Sequence, residues 1–143
     1  MATLTAANSA FSLAITNLYP VPQILQGFAT DDAFAAEAID LAEIQMGVDG
    51  RMSSAYVPNP TPITINLQAD SPSLIVFETW LNATRGDQEI YSANGTIMLP
   101  ATGRKYNLRN GVLTRGTPFS GVKKTLQPSQ FVITFESVVG GAL

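Results

Sequence analysis

At 143 residues and 15.2 kDa the chain has the length of one domain, and a fold of that size buries about two-thirds of its unfolded surface, enough for a core without covalent staples. It contains no cysteine and no histidine, which excludes disulfides, thiol nucleophiles, thiolate metal sites and Ser–His or Cys–His catalysis. Charged residues make up 13% and hydrophobic residues 45%, against about 25% charge in an ordinary soluble domain, so the surface is expected to be covered by an assembly.

The net charge of −3 hides a division. Residues 1–80 hold eight acids against the single base Arg51, whereas 81–143 hold seven bases against three acids. Opposite charge on two parts of one subunit suits head-to-tail contacts, in which one surface meets a different surface of the next copy. The start of the chain lacks a basic region and a long apolar run, so it does not read as a secretion signal. No apolar run approaches the roughly 20 residues that span a bilayer.

Phe11, Leu13 and Ile15 alternate with Ser12, Ala14 and Thr16, the period of a half-buried strand. Tyr19-Pro-Val-Pro22 turns the chain, and Gln23-Ile-Leu-Gln26 offers a returning strand that its prolines confine to a sheet edge. Residues 30–46 are helical by propensity, with acids at the start, but Ile39/Leu41 and Ile44/Met46 recur every second position, so the residues leave helix and extended chain both open. Gly47-Val-Asp-Gly50 is a tight turn. Residues 48–62, with prolines at 58, 60 and 62, read as an extended loop.

Ile63, Ile65 and Leu67 alternate with polar residues in a strand. Ser71 as N-cap and Pro72 at the first helical position open a helix over about 72–84, with Leu74, Ile75, Phe77, Trp80 and Leu81 on a broad apolar face and Gly86 as its stop. Everything after it reads as strands. Asn94-Gly95 and Asn110-Gly111 sit between apolar stretches as hairpin turns or bulges. Phe131, Ile133 and Phe135 mark a last strand, and 140–143 a short flexible tail. The fold class is mainly β: a mostly antiparallel β domain with one packed helix, forming a single domain with an N-terminal arm over 1–10.

Chemistry is sparse. No phosphate-binding loop is present. The pairs Asp31-Asp32 and Glu37/Asp40 read as caps or solvated faces, and Asp49 lacks the regularly spaced oxygen ligands of a calcium loop. The bases near Tyr106 and Phe119 resemble a nucleic-acid grip, but the isoelectric point near 4.7 opposes it, and subunit contact is the better reading. No enzyme activity, cofactor, metal or small-molecule substrate is expected.

Gly47-Val-Asp-Gly50, the Ser/Pro-rich piece after it, Ile63-Thr-Ile-Asn-Leu67, Ser71-Pro-Ser-Leu74, Ile97-Met-Leu-Pro100 and Phe131-Val-Ile-Thr-Phe-Glu136 together span most of the chain. In this pattern of turns and strands it resembles the tail-tube and tube-like, baseplate-proximal ring proteins of long-tailed bacteriophages. The resemblance implies an antiparallel β-sandwich or partial barrel with one packed helix and with 33–46 extended, assembled as homohexameric rings that stack into a conduit for DNA ejection. It implies contacts with neighbouring rings, tape-measure protein, baseplate hub and, in contractile tails, sheath, with DNA only in transit. The expected location is the virion, after assembly in the host cytoplasm. Interface candidates are the acids Asp31, Asp32 and Asp49, the loop residues Arg51, Met52, Tyr56 and Val57, and the bases Arg104, Lys105, Lys123 and Lys124. The alternative reading is a carbohydrate- or receptor-binding β-sandwich of a phage or cell-surface assembly.

Overall fold

A computed structural model describes residues 9–26, 28, 34–119 and 121–142. Along the chain run β1 (Ala10–Ile15), β2 (Tyr19–Ile24), β3 (Phe34–Ala36), β4 (Ala42–Met46), β5 (Met52–Tyr56), β6 (Thr61–Leu67), α1 (Leu74–Asp87), β7 (Ser92–Leu99), β8 (Arg104–Gly116) and β9 (Ser129–Ala142). Seven strands form one antiparallel sheet in the order β2-β1-β7-β8-β9-β6-β3, while β4 and β5 pair as a separate ribbon. The mainly β class with one packed helix is as the sequence implied. Residues 34–46 are extended, against their helix propensity.

The sheet is rolled. β1 and β3 lie second and seventh in its order, so a flat sheet would hold them on the order of 24 Å apart, at about 4.8 Å per strand. Instead the rings of Phe11 and Phe34 meet edge-on at 5.3 Å. The result is an open barrel whose concave face carries the alternating residues of β1, β6 and β9: Phe11, Leu13, Ile15, Ile63, Ile65, Leu67, Phe131, Ile133 and Phe135, all buried. Helix α1 closes this face with Val76, Phe77 and Trp80. Phe77 stacks on Phe131 with centroids 4.6 Å apart. The indole Nε1–H of Trp80 donates to the Tyr91 carbonyl at 3.1 Å, so no polar atom of this large side chain is left without a partner.

The helix begins two residues later than its capping signal implied. Ser73, not Ser71, is the N-cap. The Ser71 hydroxyl donates to the Gln26 carbonyl, and the Gln26 N–H donates to Ser73 Oγ at 2.7 Å. Both serines thus tie the helix start to the segment after β2, while Ser71 Oγ also accepts the Ser73 N–H at 3.2 Å, a local capping-type bond. At the other end the helix runs through Gly86 to Asp87, and Gln88 takes the left-handed conformation (φ 53°) that Gly86 was expected to supply.

Neither Asn-Gly pair is a hairpin turn. A two-residue turn of that kind needs positive φ at both central residues, and of these four only Asn110 has it, at 52°. β7 and β8 run straight through, with an irregular register where Ala93 faces Gly111 and Gly95 faces Leu108. There Asn94 Oδ1 accepts the Asn110 N–H at 3.0 Å. The glycines are required by close approach: a Cβ on Gly95 would come within 2.8 Å of the Ser12 carbonyl, and one on Gly111 would overlap the Phe135 ring. The true β7–β8 turn is Pro100–Gly103, with Gly103 at φ 65°.

Two expected loose segments are strands. Residues 48–62 contain a turn, all of β5 and the first two residues of β6. In the tail, Gly140, Gly141 and Ala142 lie opposite Tyr106, Lys105 and Arg104 in the β8–β9 ladder. Of the N-terminal arm, residues 1–8 lie outside the described residues, while Ala10 already belongs to β1. β2 is an edge strand, as its prolines implied, but it begins at Tyr19, so the residues expected to turn the chain are strand and the turn lies at 16–18. Neither Pro20 nor Pro22 has a register partner in β1.

Candidate assembly surface

The β4–β5 ribbon is built by a five-residue turn. Gly47 N–H donates to the Arg51 carbonyl at 2.7 Å, Gly50 N–H to the Gly47 carbonyl at 3.0 Å, and Gly50 adopts φ 84°. The ladder continues to Val57, whose N–H donates to the Leu41 carbonyl at 3.0 Å, and Asn59 Nδ2 donates to the Asp40 carbonyl at 2.6 Å. Register places Ala42 opposite Tyr56, Ile44 opposite Ser54 and Met46 opposite Met52. Side chains alternate across a strand, so these six share one face and Glu43, Gln45, Ser53 and Ala55 share the other. Every residue of both strands is exposed, Met46 at 67% and Tyr56 at 79%. An isolated two-stranded hairpin is marginal in water, and this one shows an apolar face to solvent.

A second apolar surface lies between the helix and the β8–β9 connection. Leu74, Leu81, Pro118, Phe119 and Phe131 line a groove of about 190 Å³, with Glu78 at its rim. Phe119 is 76% exposed. Val122 and Leu126 bridge each other across Lys123-Lys124-Thr125 and are also exposed.

Of the expected interface residues, Asp49, Arg51, Met52, Tyr56 and Val57 fall on the hairpin. Asp49 and Arg51 pair with each other at 3.9 Å, the one ion pair among the described residues. The remaining described acids and bases carry no such pairing. The basic candidates do not form one patch: Arg104 and Lys105 open β8, whereas Lys123 and Lys124 lie beyond its end, roughly 40 Å away along an extended strand. Asp31 and Asp32 lie outside the described residues. Sequence reading missed Leu41, Ile44 and Met46 as surface residues, whereas Phe119 was already grouped with the bases as a contact surface. The every-second-position pattern of 44 and 46, combined with 52 and 56 across the Gly47–Gly50 turn, was the available signal for the hairpin. No group of acids close enough to hold a metal ion occurs among the described residues.

Three solved structures share this fold. A chain of the 6-fold symmetrised anti-feeding prophage (AFP) baseplate matches at 10% identity and TM-score 0.62, covering 99% of this chain and 98% of that one. A chain of the anti-feeding prophage cap, which terminates the AFP tube, matches at 14% identity and TM-score 0.64, covering 100% and 93%. A chain of the sheath–tube complex of the extracellular contractile injection system PVC, in its extended state, matches at 15% identity and TM-score 0.55, covering 93% and 88%. At these identities the likeness is one of fold. No curated protein sequence matches the chain. Residues 2–139 match the family model described as tail fiber protein gp32. The chain therefore belongs to the tail fiber protein gp32 family and is a structural component of a phage tail.

Proposed function

We propose that this chain is a ring-forming subunit of the tail tube, or of a tube-like ring at the baseplate end, with six copies enclosing a conduit for DNA. The observation that carries the reading is the β4–β5 hairpin, whose apolar face is fully exposed in the single chain. Leaving that face in water costs free energy that a neighbouring copy recovers by covering it. Two further features support it. The low charge content suits a surface that is mostly contact, and the proline-bearing β2 edge offers few donors for uncontrolled strand addition.

The role is structural, without catalysis or cofactor, in keeping with a chain that has no histidine or cysteine. Tape-measure protein, baseplate hub and adjacent rings are the proposed partners, with sheath added where the tail contracts. DNA passes without being held, and a net acidic protein gives phosphate little to bind. Electron microscopy of the purified protein, and of tail particles carrying a tagged copy, tests the reading. Hollow six-fold rings are expected. A particle in which the chain stands alone, with no neighbouring copy, would overturn it and favour a receptor-binding module.

A further inference from the structure

We propose that the β4–β5 hairpin of one copy seats on the surface that α1 and the β8–β9 connection present on the next copy. The inference rests on the ring reading and names the surface that receives the hairpin. Both surfaces are apolar and exposed in the single chain, so neither covers the other within one copy. Their charges are complementary. Residues 34–57 hold Glu37, Asp40, Glu43 and Asp49 against Arg51, a net of −3, while 113–128 hold Arg115, Lys123 and Lys124 and no acid, a net of +3.

The receiving surface also has shape. The groove beside Leu81, Phe119 and Phe131 adjoins a second one in which Arg85 and Arg115 flank Leu81 and Leu113. Glu78 is the acid that faces it. The apolar row of Ile44, Met46, Met52 and Tyr56 supplies side chains to fill such grooves. Because the knob and the receiving surface are different parts of the chain, the contact is heterologous and propagates from copy to copy, closing into a ring or continuing as a stack. Charge complementarity of this kind chooses partner and register more than it adds affinity.

The absence of native cysteine makes a disulfide test unambiguous. Ile44→Cys and Phe119→Cys are made in separately tagged copies, mixed, assembled and mildly oxidised, with Ile44→Cys plus Val139→Cys as the control pair. The expected result is a covalent species carrying both tags for 44 with 119 and none for 44 with 139. Lys123→Glu with Lys124→Glu should weaken self-association in sedimentation, by up to about fivefold for each exposed pair lost, and Asp40→Lys with Glu43→Lys in the same chain should restore it. Rings without the 44–119 cross-link overturn the contact and leave the ring reading standing. The cross-link in particles that are not rings supports the contact and overturns the ring reading. Absence of both overturns the two together.

Discussion

Replacing Phe77 by alanine removes a ring that is fully buried, stacked 4.6 Å from Phe131 and 6.3 Å from Trp80. An aromatic side chain of this kind buries about 150–250 Å², which at about 25 cal/mol per Å² corresponds to roughly 4–6 kcal/mol of transfer free energy. Truncations at such sites cost about 3–5 kcal/mol once the neighbours relax into part of the cavity. The helix also forms the lid of the concave face, so the loss falls on the contact between α1 and β9 rather than on the helix alone. Urea unfolding of the unassembled protein is the assay. With a slope of about 1–3 kcal/mol per molar, the midpoint should fall by at least about 1 M while the slope stays constant. Ile75→Ala is the control: it lies on the same helix but is 63% exposed, so its midpoint should move by no more than about 0.5 kcal/mol of stability. Equal midpoints for Phe77→Ala and the wild type would refute the claim that α1 closes the barrel. Leu74 is half-buried, and Leu74→Ala should cost less than Phe77→Ala.

Gly111→Ala drives a methyl into the Phe135 ring and to within 3.0 Å of the Ile133 methyl. It should destabilise by about 1–3 kcal/mol, read as a lowered melting temperature, and an unchanged melt would show the strands free to shift. Replacing 42–56 by a short Gly-Ser linker removes the separate ribbon without touching the seven-stranded sheet. The product should melt like the wild type and fail to assemble in electron micrographs, and normal rings from it would refute the hairpin's role. The Tyr91 hydroxyl donates to Asp87 Oδ2 at 2.5 Å, and chiefly this bond raises its phenol above the ordinary value of 10.0. The folded state therefore holds that proton more tightly than the unfolded chain. The stability this contributes is full below about pH 10 and is lost as pH rises through the raised value. Absorbance titration should find a late-ionising phenol that Tyr91→Phe removes, and a titration curve whose late phase Tyr91→Phe leaves unchanged would contradict the contact.

The sequence by itself determined the elements whose hydrophobic period is set by one buried face. Phe11/Leu13/Ile15, Ile63/Ile65/Leu67 and Phe131/Ile133/Phe135 declare strands because alternate residues must leave water. Phe77 and Trp80 declare the core side of a helix for the same reason, whereas over 30–46 propensity and period pointed different ways and the residues left helix and extended chain both open. Other features were decided only by tertiary contacts, because the deciding partner is distant in sequence. Ser71 keeps a local bond from the Ser73 N–H, but its hydroxyl proton goes to Gln26, 45 residues away. Asn94-Gly95 and Asn110-Gly111 carry strong turn chemistry, yet the glycines are there because Ser12 and Phe135 press on the strands. Gly140 and Gly141 have no strand propensity and are held extended by the ladder from Lys105 and Tyr106. The candidate surface follows the same division. The alternation of Ile44 and Met46 was visible, but 48–62 read as a loop, so the hairpin that pairs 42–46 with 52–56 emerged only in the fold. The separation of Arg104 and Lys105 from Lys123 and Lys124, and the gathering of Phe119 with Leu81 and Phe131, depend on where a 13-residue strand ends and which helix it ends beside. A sequence states which side chains must be buried; only the packed chain states which of the remainder end up as neighbours.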